Sequence, residues 1–188
     1  PTPVAGPEAC RPATTAVRAG IDRDCAHGAV TPPIVLSSNF SFEGFGLKRQ
    51  YDYTRSGNPT RDLLGEALAE LEGGVGGVVT ATGMGAISLV LHALLSPGDR
   101  LVVPHDAYGG SWRLFNALAA KGHFELVTAD LTDPRALAAA LECSPRLVLI
   151  ETPSNPLLRI TDIADVARRA HAVGAKVVAD NTFLSPTL

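Results

Sequence analysis

The sequence lacks an excess of charge of either sign: sixteen Lys and Arg stand against nineteen Asp and Glu, for a formal net charge of −3. A chain so balanced has no basic face for nucleic acid and no polybasic segment for an anionic membrane. Long hydrophobic runs are missing too; none approaches the roughly 18 residues that a membrane span needs. Residues 1–11 are rich in Pro and Ala and contain no hydrophobic signal core, so export is not expected and the cytoplasm is the expected location. Cysteine is scarce. Cys10, Cys25 and Cys143 are an odd number at unrelated spacings, which suits neither a disulfide frame nor a zinc site and predicts reduced thiols. Internal repeats and low-complexity tracts are absent. What remains is 188 residues, 46% of them apolar, enough for one domain with a sizeable core and an attached arm.

Proline marks the arm. Pro3, Pro7, Pro12, Pro32, Pro33 and Pro59 interrupt residues 1–60, where helical patterns are few. Such a stretch is expected to pack on its own domain or on another subunit. Residues 61–188 read as one domain. From Pro59 an apolar stripe at Leu63, Leu64, Ala67, Leu68 and Leu71 predicts a helix ended by Gly73-Gly74. Predicted strands follow at 77–80, 100–103, 124–127, 146–150 and 176–179. Predicted helices alternate with them at 84–95, 111–120, 134–141 and 163–173. Short β-rich runs between helices indicate an α/β fold with a mostly parallel sheet and helices on both faces.

Ligands of such sheets bind beyond the carboxyl ends of the strands. Four places there carry polar or small residues. Thr82-Gly83-Met84-Gly85 reads equally as an anion-binding helix start or as a tight strand–helix turn; it lacks a Walker lysine and a G-x-G-x-x-G pattern. Tyr108 can stack on a flat ring or exchange a proton, although alone it reads as a packing tyrosine; His105 reads as structural. Asn155, between Pro153 and Pro156, offers a donor and an acceptor in a loop rich in turn formers. Asp180 closes an apolar strand, and its carboxylate needs either a cation or the N–H groups of a cap. Each signal alone suits ordinary turn chemistry. Together they are what pyridoxal 5′-phosphate (PLP) requires: an anchored phosphate, a flat ring held in place and a protonated ring nitrogen.

From about Thr15 onward the chain resembles the Cys/Met-metabolism (trans-sulfuration) family of PLP enzymes. The carrying stretches are Pro32-Pro33-Ile34, Tyr53-Thr54-Arg55-Ser56-Gly57-Asn58-Pro59-Thr60, Leu71-Glu72-Gly73-Gly74, Thr82-Gly83-Met84, Tyr108-Gly109-Gly110, Glu151-Thr152-Pro153-Ser154-Asn155-Pro156 and Asp180-Asn181-Thr182-Phe183. The resemblance implies the type I, aspartate-aminotransferase-like fold, here an incomplete large domain with an extended N-terminal arm. It implies that Gly83 and Met84 bind the cofactor phosphate through their N–H groups. Tyr108 is implied to stack on the ring and assist proton transfer, Asp180 to pair with the ring nitrogen, and Asn155 and Thr182 to lie near the ring hydroxyl. Tyr53 and Arg55 are implied to reach the PLP of a neighbouring subunit, in a homotetramer.

Within the family, Leu36-Ser37-Ser38, Phe42-Glu43-Gly44-Phe45 and Tyr108–Phe115 resemble the branch that joins O-succinyl- or O-acetyl-L-homoserine to L-cysteine. That branch performs γ-replacement in methionine biosynthesis. The γ-elimination branch is the nearest alternative. Arg113 reads equally as a partner for a succinyl carboxylate or as a surface ion-pairing residue. The lysine that bonds the cofactor is expected beyond Leu188, because Lys48, Lys121 and Lys176 lack its sequence context, and the C-terminal domain is expected there as well. The stretch 1–188 is therefore expected to be inactive on its own. A dehydrogenase or a truncated, non-catalytic assembly fragment are the readings from other classes.

Overall fold

The computed structural model describes residues 11–21, 24 and 26–186; Cys10 and Cys25, read above as thiols, lie outside them. Cys143 is a free thiol, half-buried, with Sγ 3.1 Å from the Ala140 carbonyl. The chain divides into two compact units, one of residues up to Val79 together with Pro186, the other Thr80–Ser185.

The second unit holds a four-stranded parallel sheet of β1 (Arg100–Pro104), β2 (Glu125–Ala129), β3 (Leu147–Glu151) and β4 (Lys176–Asp180), in the order β2-β1-β3-β4. Central and edge strands differ as their sequences do. Leu147 to Glu151 of β3 are all buried, whereas Glu125 and Thr128 on β2 and Lys176 and Ala179 on β4 are exposed.

Alternation along the strands divides the core in two, because successive side chains leave a strand on opposite faces. Four helices cover those faces: α3 (Gly83–Leu94), α4 (Gly109–Ala120), α5 (Pro134–Leu141) and α6 (Ile163–Ala172). Leu101, Val103, Leu147 and Leu149 pack with Leu91 of α3 and Phe115 of α4. Val102, Val148 and Ile150 pack with Leu137 and Leu141 of α5 and Val166 and Ala170 of α6. The parity extends past the core. Glu151 continues the Leu147–Leu149 series and Asp180 the Val178 series, so both carboxylates fall on the α3/α4 face, in register with each other.

The first unit has a short helix α1 (Pro12–Arg18) and the longer α2 (Pro59–Leu71). Asn58 starts α2 and explains part of the Tyr53–Thr60 motif without chemistry. Its Oδ1 accepts the Thr60 N–H, and its Nδ2 donates to the Val35 carbonyl and to Thr54 Oγ1, so a buried amide is fully satisfied. Pro59 occupies the first helical position, and Gly73, at φ +66°, takes the left-handed turn that ends the helix.

Two expectations need correction. Residues 77–80 form no strand: the run lies next to Gly73, Gly74 and Gly76, finds no ladder partner among the described residues, and leaves Val78 78% exposed. Helix α1 was not expected; Pro12 at its first turn is a helix-starting position rather than a break. Among the described residues, no helix is long and apolar enough to cross a membrane.

Candidate functional site

The carboxyl ends of β1, β3 and β4 surround a cavity of about 410 Å³ lined by Thr82, Gly83, Met84, Tyr108, Asn155 and Asp180, with Glu151, Thr182, Ile87, Pro153 and Phe183 completing it. The structure thus brings together Gly83, Met84, Tyr108, Asn155, Asp180 and Thr182, six of the residues singled out from sequence.

Gly83 and Met84 open α3. Thr82 caps that helix: its Oγ1 accepts the Gly85 N–H at 2.9 Å, and its carbonyl accepts the Ala86 N–H. The Gly83 and Met84 N–H groups are then first-turn donors with no partner inside the helix, at its positive end. Small residues keep the approach to them open.

Tyr108 precedes α4 at its N-cap but gives no side-chain cap; the residue is 46% exposed. Gly110 lies under that ring, since a Cβ there would fall 2.5 Å from Tyr108 Cε1. Asp180 ends β4. Its Oδ1 accepts both the N–H and the hydroxyl of Thr182, at 3.1 and 2.5 Å, while Oδ2 accepts no bond from any described residue. Asn181 donates from Nδ2 to the Thr152 carbonyl at 2.7 Å, tying the ends of β3 and β4.

Glu151 opens the Glu151–Pro156 motif, and the sequence assigns it no role. It is 5% exposed, and its two oxygens accept the backbone N–H of Tyr108 at 2.7 Å and of Asn155 at 3.0 Å. Burial pushes its carboxyl above the usual range, Asp180 and Asp106 push the same way, and the two N–H donors oppose them. The signal that exposed Asp180, an acid closing an apolar strand, was present here as well.

Three predicted residues lie elsewhere. Tyr53 and Arg55 belong to the first unit, where Arg55 donates to the Tyr53 hydroxyl at 3.2 Å and its guanidinium lies 5.3 Å from the ring centre. Arg113 is exposed on α4 without an ion pair among the described residues, its Nη1 3.4 Å from where a Cβ on Gly109 would lie. His105 is not among the residues that line the cavity; its backbone N–H donates to the Ala129 carbonyl, and its ring faces Arg159 Nη1 at 3.4 Å.

Comparison with known proteins gives the site its context. The chain is 57% identical to the cystathionine gamma-synthase of Escherichia coli K12, over 94% of this chain and 46% of that protein. It is 40% identical to a cystathionine beta-lyase of Lactococcus lactis subsp. cremoris, over 93% of this chain and 46% of that one. The crystal structure of cystathionine gamma synthase from Xanthomonas oryzae pv. oryzae in complex with cystathionine superposes with a TM-score of 0.91 at 81% identity, covering 94% of this chain and 46% of that one. The chain therefore spans about half the length of the relatives it matches. With residues 13–188 matched by the model of the Cys/Met metabolism PLP-dependent enzymes, the chain belongs to that family.

Proposed function

We propose that the protein containing this chain is a cystathionine γ-synthase, which joins O-succinyl- or O-acetyl-L-homoserine to L-cysteine and releases the acid. The Cγ–O bond of homoserine breaks, a Cγ–S bond forms, and the thiol proton leaves with the carboxylic acid. The carrying observation is the convergence of the α3 N-terminus, the Tyr108 ring and the Asp180 carboxylate on one cavity.

That cavity suits PLP by the chemistry of its walls. Two N–H groups at a helix start without a partner inside the helix suit a phosphate, an exposed tyrosine suits a flat ring, and a carboxylate oxygen without a partner among the described residues suits a protonated ring nitrogen. PLP, when bound, supplies an electron sink for negative charge beside the amino-acid Cα. The protein's own part is to hold and to protonate. Gly83 and Met84 hold the phosphate, and Asp180, kept in place by Thr182, keeps a proton on the ring nitrogen. Asn155 meets the ring hydroxyl, with Thr182 close by. Tyr108 would stack on the ring, and its hydroxyl would be available to exchange a proton. Lys48, Lys121 and Lys176 are not among the residues that line the cavity, which supports reading the lysine that bonds the cofactor as one outside this stretch. Tyr53 and Arg55 serve the PLP of a second copy in a homotetramer, where the planar fork of an arginine suits phosphate oxygens.

The test is an assay of the protein spanning the family's full length. It is given each acylated homoserine with cysteine, and cystathionine is followed by mass spectrometry. Net cystathionine formation is expected. The similarity to a cystathionine beta-lyase supports the second reading, elimination. Release of ammonia and a 2-oxo acid from cystathionine, without net synthesis from either homoserine ester, would establish elimination instead.

A further inference from the structure

Glu151 is the least exposed polar residue of the cavity wall that carries a charge, and nothing in the proposed chemistry uses it. It closes β3, the only described strand buried at all five positions. Its two oxygens are divided between two loops. Oε2 takes the N–H of Tyr108, at the end of the β1 loop, and Oε1 takes the N–H of Asn155, in the loop after β3 itself. A side-chain amide of the same shape offers one acceptor oxygen and would face its NH2 group toward the second donor. The Tyr108 side chain gives no cap to α4; its backbone is held by this bond at the N–H and by the bond its carbonyl accepts from the Trp112 N–H, and only the first ties it to β3. The other side-chain contacts between the same two loops, among the described residues, are Ser154 Oγ to Asp106 at 3.1 Å and Arg159 Nη1 to His105 Nε2 at 3.4 Å and to Asp106 at 3.5 Å, and none of these touches Tyr108 or Asn155.

We propose that Glu151 is a positioning residue: by accepting the Tyr108 and Asn155 backbone N–H groups on separate oxygens, it holds the two loops at one fixed spacing around the cavity and so aims the tyrosine ring and the asparagine amide at the same cofactor. Glu151 itself exchanges no proton with substrate. It acts through the placement of its two partners, and the inference rests on reading the cavity as a PLP site.

The experiment uses the full-length protein and has two arms. In the first, amide hydrogen exchange is measured on the wild-type protein freed of PLP. The Tyr108 and Asn155 amides are expected to exchange far more slowly than that of Leu157 in the same region; exchange as fast as Leu157 overturns the proposal. In the second, PLP dissociation is measured for Glu151→Gln, Tyr108→Ala and the double variant. Glu151→Gln is expected to raise the PLP dissociation constant about tenfold, the worth of a hydrogen bond to a charged acceptor. That effect is expected to shrink in the Tyr108→Ala background, because the residue through which Glu151 acts is gone. Equal effects in both backgrounds, or unchanged PLP binding and visible circular dichroism in Glu151→Gln, overturn it. If the Gln variant does not fold, the exchange arm decides. Failure of the PLP reading itself shows separately, as wild-type protein that does not bind PLP.

Discussion

A methyl group on Gly110 would lie 2.5 Å from the Tyr108 ring and 3.2 Å from Met84 Sδ. Ordinary exchange of helical Gly for Ala gains about 1 kcal/mol. The ring can swing aside, so Gly110→Ala is expected to keep or raise the melting temperature while it weakens PLP binding several-fold, on the order of 1 kcal/mol. Calorimetry and PLP titration on one preparation check both halves. Arg113 offers a second residue-scale outcome. Its guanidinium, without an ion pair among the described residues, lies five residues along from Tyr108, and Arg113→Ala should raise KM for O-succinylhomoserine about tenfold, as expected for a lost charged hydrogen bond, with little change for the O-acetyl ester. Equal losses for both esters would remove Arg113 from substrate binding. At this scale the sequence was legible where a residue announces its own chemistry. Asp180 and Tyr108 stand out as a charge and an aromatic at strand ends. Glu151 follows the same rule, but its meaning lies in which N–H groups it meets, and those come from loops 43 positions apart for Tyr108 and 4 for Asn155.

The helices and strands of the second unit follow from periodicity because each is judged by one local rule. Helix α5 has the bounds its periodicity predicts, Pro134–Leu141, and the four described strands begin within one residue of their expected starts. Residues 77–80 carry a strand pattern without forming a strand, because an apolar β-rich run states a propensity but cannot name a partner. A closely related local fact was invisible for the same reason: Gly65 and Gly77 touch backbone to backbone, and a Cβ on Gly65 would fall 2.8 Å from the Gly77 carbonyl oxygen. Backbone cannot swing away as a ring does, so Gly65→Ala is expected to destabilise by about 1–3 kcal/mol despite better helix propensity, measured by urea unfolding. The ends of β1, β2 and β3 are joined by Arg159, which meets Asp130 at 2.6 Å and Asp106 at 3.5 Å. The hydroxyl of Thr132 and then Arg159 hold the Asp130 carboxyl well below its ordinary value of 3.8. A depressed carboxylate stabilises the fold above its unfolded pKa, and that stability is lost as pH falls below about 4. Asp130→Asn should therefore flatten the fall of melting temperature between about pH 4 and 2. Glu151 acts in the opposite sense: with its pKa raised above 4.5, its contribution is fully present below that value and is lost as pH rises through its folded pKa.

Two compact units carry different shares of the proposed site. The cavity is built wholly from residues of the second, while Tyr53 and Arg55 belong to the first. If those two complete the site of another copy, two inactive variants should rescue each other. Arg55→Ala subunits mixed with Asp180→Ala subunits, refolded together, are expected to recover activity that neither has alone, because some sites then pair an intact Asp180 with an intact Arg55. No recovery in a verified mixed oligomer would confine each site to one chain. Such sharing leaves little trace in one sequence, because a residue that serves a neighbour looks like any exposed Tyr or Arg.

The strand order also governs how the domain can be made. Each ladder joins segments separated by a helix, and β3 gains its second neighbour only when β4 arrives. A nascent chain that has left the ribosome as far as Glu151 can already form the anion-binding turn and the tyrosine wall. Until Lys176–Asp180 emerges, however, it presents one bare edge of its most apolar strand, a template for the same edge of a neighbouring nascent chain. Slow translation across residues 152–175 would lengthen that exposure, and a chaperone acting on this protein has its clearest target there.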